Sequence, residues 1–400
     1  MPTLRLIADD LTGALDTAVE FVGVYGPIEV QREDALPVSL PDCLAIDSGT
    51  REKSAAEAAA IVGGLAPLLE GADLAFKKVD SLFRGPWAAE LAACFRLGHW
   101  RHCILAPAFP HHGRHTRGGR QVLFAGNDAW RDVSGDLAAQ LRAEGLPAFS
   151  TALSEHPADA VTSIPEGIHV FDAHSDDDLD AVIAWVSSEL PGPVLWSGTG
   201  GLARALARNI DLATRHQSHP GKRAGEGRPA RSVSAVPVSR RLQRPVLGLF
   251  GSDQPITLAQ LQACGPYWLK LSEGADADTV DRQIRQSGVA MVSVDLPTGL
   301  ERDDAARRIE ATFAGIAKTL PAPATLIVAG GETLRNLCSA LDVTALSITG
   351  QAAPGLPLST IVGGPWQGTT VISKSGAFGG PTLWRDLLSE NALIAGGEEP

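Results

Sequence analysis

Cysteine is scarce. Cys43, Cys94, Cys103, Cys264 and Cys338 are scattered singly along 400 residues, odd in number and without CxxC spacing. That excludes a disulfide framework and a structural zinc site, and each reads as a small buried hydrophobe. Long apolar runs are missing too: no window reaches the roughly 18 uncharged apolar residues that a membrane-spanning helix needs. The N-terminal MPTLRLIADD has no apolar stretch followed by a small-residue cleavage site, so no secretory signal is expected, and the expected compartment is the cytosol. Positive charge is in short supply, with 34 Lys and Arg against 46 Asp and Glu and a net charge of −12. A bulk nucleic-acid binder needs the opposite balance, so neither nucleic acid nor membrane is expected as a partner. Small anions can still be bound where the few cations and backbone N–H groups are concentrated. Two nucleotide signatures are also absent. There is no GxxxxGK(S/T), and no GxGxxG opens a helix within a dinucleotide-binding unit.

Glycine, by contrast, is plentiful: 42 residues, many in clusters just after apolar runs, where tight strand-to-helix turns use them. A chain of this length exceeds one ordinary core, which predicts two domains. Leu4 to Ala8, Cys43 to Ile46, Leu74 to Phe76, Cys103 to Ala106, His169 to Phe171 and Val194 to Trp196 read as strands of the first. Ala14 to Val22, Ala55 to Val62 and Leu202 to Ala207 read as helices, the second opened by a Ser54–Glu57 capping box. A second series of strands begins at Val246 to Phe250 and continues at Ala290 to Val294, Thr325 to Ala329, Ala345 to Ile348 and Thr369 to Ile372. Between the series, residues 216–244 are rich in Pro, Gly, Ser and Arg and read as a linker or surface loop. The expected fold is α/β with two domains, 1–215 and 245–400, each a mostly parallel sheet flanked by helices. No short repeat period is present, which excludes a solenoid.

In the first half, IADDLTGALDTA places Asp9 and Asp10 at the carboxyl end of the first strand, where open α/β sheets bind ligands, with Thr12 expected to cap a helix from near Ala14. Carboxylates there can accept a proton from an attacking hydroxyl, bind sugar hydroxyls or hold Mg²⁺; capping the helix is the bland alternative. Leu11 stands where an aspartyl-nucleophile phosphatase needs its second Asp. FKKVDSLFRG follows another strand and puts Lys78, Val79, Asp80, Ser81 and Arg84 together. Cations there can fix an acid group while Asp and Ser read hydroxyls, and Arg51, in IDSGTR, can join them. APAFPHHGRHTRGGRQ carries His111, His112 and His115, but no carboxylate completes a zinc set, so it reads as a loop lining a cleft.

In the second half, GLFGSDQPITLAQL runs from strand through a Gly251-Ser252 turn to a helix with Pro255 in its first turn. IVAGGETLRNL repeats the scheme with Gly330, Gly331, Glu332 and Thr333, and SKSGAFGGP adds a third glycine turn around Gly376. One such turn is connection geometry; three at strand ends of one domain point to a shared phosphate-binding site.

The ordered set ADDLTGA, KxDSxxRG, APAFPxxGRxTxxG, GSxxPxT, GG-(D/E)-T and KxGxFG resembles the four-carbon acid sugar kinase family and spans nearly the whole chain. The resemblance implies sugar-acid contacts from Asp9 or Asp10, from Arg51, from Lys78 through Ser81 and from Arg84. It implies nucleotide contacts from Ser252, Gly330, Gly331, Glu332, Thr333 and Gly376. ATP and Mg²⁺ are the implied cofactors, a threonate-, erythronate- or 3-oxo-tetronate-like acid the implied substrate, and Asp9, Asp10 or Asp80 the implied catalytic carboxylate. The metal ligands and oligomeric state stay open, a homo-oligomer included. Leu82-Phe83 and SGTR depart from the family pattern beside the sugar site, which bears on substrate identity. A non-catalytic sugar-acid sensor and a kinase of a different hydroxy acid are the alternatives.

Overall fold

The computed structural model describes residues 2–98, 100–126, 129–151, 153, 164–190, 192–218, 242–252, 254–272, 277–297, 299–376 and 378–394. The chain divides into two compact units, Met1–Val236 and Pro237–Pro400.

The first unit contains β1 (Leu4–Ala8), β2 (Ile28–Arg32), β3 (Cys43–Asp47), β4 (Leu74–Lys78), β5 (His102–Ala106), β6 (Arg114–Arg117), β7 (Arg120–Phe124), β8 (Trp130–Asp136), β9 (Ala148–Thr151), β10 (Gly167–Phe171) and β11 (Leu195–Gly198). Its main sheet runs β2-β3-β1-β4-β11-β5-β10-β9, and these pairings are parallel. β3, β4 and β10 are buried along their whole length, as strands of a parallel sheet covered by helices must be. Ile7, Ile46, Leu91 and Leu105 lie in one core with Trp87. The helix expected from near Ala14 begins three residues earlier, at Leu11, because Asp10 rather than Thr12 is its cap: the Asp10 carboxylate accepts from Gly13 N at 2.8 Å. It ends at Ala18 and continues through a 3₁₀ turn, Val19–Phe21, into Val22–Tyr25. The Ser54–Glu57 capping box is formed and opens the helix Ala55–Leu65.

β6, β7 and β8 form a separate antiparallel sheet, so the histidine segment is a 3₁₀ turn, Pro110–His112, leading into a hairpin rather than a plain loop. Polar strands such as RHTR carry no apolar alternation by which a sequence could show them.

The second unit contains β12 (Val246–Phe250), β13 (Trp268–Ser272), β14 (Val289–Asp295), β15 (Thr325–Ala329), β16 (Ala345–Ala353), β17 (Leu356–Val362) and β18 (Thr370–Lys374). The order is β13-β14-β12-β15-β18-β17-β16, parallel as far as β18 and antiparallel from β18 through β17 to β16. Val246, Ile327, Ile372 and Trp384 share its core. The helix Pro255–Ala263 carries Pro at its first position, where the missing N–H costs nothing. Of the expected 216–244 linker, residues 216–218 end the helix Gly200–Ser218, residues 242–244 lead into β12, and residues 219–241 lie outside the described residues. All five cysteines are buried, and none is joined in a disulfide. Among the described residues no helix is long and apolar enough to cross a membrane.

Candidate active site

The carboxyl ends of β1, β3 and β4 lie side by side, and the backbone after each strand decides what gathers there. Ser48 N donates to Ala8 O at 2.9 Å and Thr50 N to Asp9 O at 3.0 Å, so the segment after β3 follows the end of β1 and brings Arg51 to Asp9 and Asp10. The loop after β4 then closes over Arg51 through Gly85. This glycine has φ +78, and a Cβ on it would stand 2.7 Å from Arg51 O. Gly13 makes room on the other side, where a Cβ would fall 2.5 Å from Lys78 Nζ.

The resulting cluster is an alternation of charges. Arg51 Nε donates to Asp9 Oδ2 at 2.7 Å, its Nη1 to Asp10 Oδ2 at 2.5 Å and its Nη2 to Asp10 Oδ1 at 2.8 Å. The same Nη2 lies 3.3 Å from Asp80 Oδ1. Lys78 Nζ stands 3.3 Å from Asp9 Oδ1, and Arg84 grips Asp80 with Nε at 2.9 Å and Nη2 at 2.7 Å. Asp80 also accepts from the backbone N–H of Leu82 and of Arg84, at 3.1 and 3.2 Å. Burial pushes the Asp9 carboxyl up, but Lys78 and Arg51 beside it prevail and hold it at about 2. Burial likewise opposes ionisation of Asp80, and its bond from Arg84 with the charges of Lys78 and Arg51 keeps it well below the usual carboxylate range. Such carboxylates are firm hydrogen-bond acceptors. The Asp10 side chain is 17% exposed against 5% for Asp9 and Asp80, so it is the most open of the three to an incoming ligand.

The expected residues Asp9, Asp10, Arg51, Lys78, Asp80 and Arg84 therefore come together. Ser81 stands beside them and accepts from Arg114 Nη1. Val79 joins through its backbone only, since its side chain is in the core and its N–H donates to Gly198 O at 2.9 Å. Two residues escaped the sequence reading. Arg114 was one arginine among several in a polar segment. Asp16 lies one and a half turns beyond Asp10 on the same helix. Its Oδ1 is shielded from solvent without a hydrogen-bond partner among the described residues. Burial, with Asp10 and Glu20 nearby, raises its carboxyl to about 7 against the pull of Lys78 and Arg51.

In the second unit the three glycine turns converge. A Cβ on Gly251 would meet Thr333 Oγ1 at 2.1 Å, and one on Gly376 would meet Ser252 Oγ at 2.4 Å. Gly330, with φ +109, precedes the helix Gly331–Ala340, and its N–H donates to Lys374 O at 3.1 Å. Gly331 opens that helix, with Glu332 exposed and Thr333 turned toward Gly251. The turn after β18 is held by Lys374, whose buried ammonium donates to the carbonyls of Ser375 at 3.1 Å, Gly376 at 2.7 Å and Phe378 at 3.0 Å. Burial alone lowers the Lys374 ammonium to about 8. Beside the turns, a cleft lined by Ala306, Ile309, Phe313, Glu310 and Asn336 opens between the helices Arg302–Thr319 and Gly331–Ala340. Gly251, Glu332 and Thr333 of the glycine turns also line it, so apolar and polar side chains meet there.

Residues 4–164 match the sugar-binding N-terminal domain and residues 247–383 the nucleotide-binding C-terminal domain. A sugar-binding unit and a nucleotide-binding unit in one chain make this a small-molecule kinase by organisation. Across 95% of its length the chain is 34% identical to a D-threonate kinase of Cupriavidus necator, covering 96% of that protein. It is 29% identical to a D-threonate kinase of Bordetella bronchiseptica, with 94% and 95% of the two chains covered. It is 27% identical to a 3-oxo-tetronate kinase of Cupriavidus necator, with 97% of each covered. The chain belongs to the four-carbon acid sugar kinase family, as the six motifs imply. Among solved structures, one from Salmonella typhimurium LT2 superposes with a TM-score of 0.73 at 20% identity, covering 98% of this chain and 100% of that one. One from Haemophilus influenzae superposes at 0.65 and 18%, covering 96% and 99%. These share the fold.

Proposed function

We propose that this chain transfers the γ-phosphoryl group of Mg·ATP to the terminal hydroxyl of a four-carbon sugar acid, with D-threonate the foremost substrate. The observation that carries the reading is the Asp9–Asp10–Arg51–Asp80 cluster at the strand ends of the unit that matches a sugar-binding domain. The choice of D-threonate rests on the 34% identity to the Cupriavidus necator D-threonate kinase against 27% to the 3-oxo-tetronate kinase of the same organism.

In this reading the substrate hydroxyls bind to Asp9 and Asp80, which stay anionic throughout. Asp10, the most open carboxylate and fixed by the Arg51 fork and by Gly13 N, orients the acceptor hydroxyl and takes its proton. The hydroxyl oxygen bonds to the γ-phosphorus, the bond from that phosphorus to the β-phosphate oxygen breaks, and ADP leaves with the electron pair. Proton acceptance of this kind contributes about 10²–10⁴-fold, and positioning with charge neutralisation supplies most of the rest. Ser252, Gly330, Gly331, Glu332, Thr333 and Gly376 surround the phosphates, with backbone N–H groups of the helix Gly331–Ala340 facing them. Among the described residues no three His, Cys, Asp or Glu side chains are gathered to hold a metal ion, and the carboxylates of the cluster face cations. Mg²⁺ is thus read as part of the substrate, carried on the nucleotide phosphates, which suits an ion that keeps most of its own waters. Mg·ATP and cysteines that are not joined in disulfides suit the cytosol.

Proton-coupled ³¹P NMR of the product tests the position of transfer. A triplet marks a phosphate on the terminal CH₂–O; a doublet marks a secondary hydroxyl and would overturn the terminal assignment.

A further inference from the structure

Arg51, Lys78 and Arg84 are each committed to a carboxylate of the protein: Arg51 to Asp9, Asp10 and Asp80, Lys78 to Asp9, and Arg84 to Asp80. These cations balance the three carboxylates, so the cluster holds no surplus charge for the acid group of a substrate. Arg114 is different. Among the described residues it makes no ion pair, and its Nη1 donates to Ser81 Oγ. Its Nε is shielded from solvent without a hydrogen-bond partner among the described residues. A buried guanidinium N–H left unmade is costly, and guanidinium is matched in shape to a carboxylate that would take it.

The backbone holds Arg114 firmly toward this corner. Gly113, with φ +63, turns the chain, and Arg114 and Phe109 exchange backbone hydrogen bonds of 3.2 and 2.7 Å. Gln121 Nε2 ties the neighbouring segments together by donating to Pro107 O at 3.1 Å and Ser81 O at 3.4 Å. Burial pulls the Arg114 guanidinium below its usual range, with Asp80 opposing and Arg84 adding to the pull. An incoming carboxylate would relieve this.

We infer that Arg114 binds the carboxylate of the acid substrate, and so makes the site prefer a sugar acid over the polyol that carries CH₂OH in the same place. The inference rests on the kinase reading above. Arg51, Lys78 and Arg84 then hold the hydroxyl-binding carboxylates in place rather than the acid group itself.

The test compares kcat/KM for D-threonate with that for the matching tetritol in the full chain and its Arg114→Gln and Arg114→Lys variants, with KM for ATP measured alongside. A lost charge-assisted contact corresponds to roughly 10- to 100-fold. The acid-over-polyol ratio is expected to fall by about that factor in Arg114→Gln and by less in Arg114→Lys, which keeps the charge without the fork. If acid and polyol efficiencies fall in parallel, Arg114 only supports the loop and the inference is overturned. A native chain that phosphorylates acid and polyol equally well overturns carboxylate recognition while keeping the kinase; one that phosphorylates neither overturns both.

Discussion

Arg51 meets Asp10 as a two-bond fork, Nη1 at 2.5 Å from Oδ2 and Nη2 at 2.8 Å from Oδ1, across 41 residues of sequence. The same guanidinium reaches Asp9 through Nε, so one planar cation fixes the spacing of two carboxylates. An ammonium cannot reproduce that geometry. Arg51→Lys should lower kcat/KM at least a hundredfold despite keeping the charge. Arg51→Ala, which leaves buried carboxylates without their counter-charge, should also cost roughly 3–5 kcal/mol of stability. Steady-state kinetics and urea unfolding check the two effects separately. An Arg51→Lys variant with native kinetics would remove the fork from the account.

Asp10→Asn keeps shape and some of the capping bonds but loses the proton acceptor. Turnover should fall about 10²–10⁴-fold while ATP affinity changes little. Calorimetric ATP binding set against kcat checks this, and unchanged turnover takes Asp10 out of the chemistry.

The carboxyls of the site pull stability in opposite directions with pH. Asp9 and Asp80 are held low in the fold, so their contribution is full above the ordinary carboxylate range and is lost as the pH falls through about 4 and below. Asp16, raised to about 7, has the reverse sign: its neutral form is favoured, and stability is lost as the pH rises from about 4 through 7. Asp16→Asn should therefore raise the melting temperature clearly more at pH 8 than at pH 5, where only part of the loss has set in. Equal gains at both values would show that the Asp16 charge is not the cause.

Lys374 holds the third glycine turn by three carbonyl bonds. Lys374→Met frees those carbonyls and should raise KM for ATP about tenfold, the scale of a lost charged hydrogen bond, with a much smaller change in KM for the acid. Equal shifts in both constants would mean general loosening of the fold instead.

The sequence marked strand ends well where the strand was continuously apolar. β12, VLGLF, and β15, TLIVA, match their expected bounds because full burial leaves a nearly unbroken apolar run. It placed the start of the first helix wrongly, since Asp10 and Thr12 are both good caps and only the contact to Gly13 N decides between them. It missed β6 to β8, whose polar strands pair with one another outside the main sheet. At the site, residue types and strand-end positions sufficed to gather Asp9, Arg51, Lys78 and Asp80. What they could not show was who pairs with whom. Arg84 is spent on Asp80 only four residues before it, whereas Arg114, which makes no ion pair among the described residues, reaches back 33 residues to Ser81, and residue types alone do not tell these two arginines apart.

The most direct measurement is a coupled ADP-release assay with Mg·ATP against D- and L-threonate, D- and L-erythronate and 3-oxo-tetronate. The account predicts strong, saturable ADP release with one of these acids, D-threonate foremost, and little without an acid. Silence across the panel with ATP binding intact would move the substrate outside the four-carbon acids, and silence with no ATP binding would contradict the kinase reading itself.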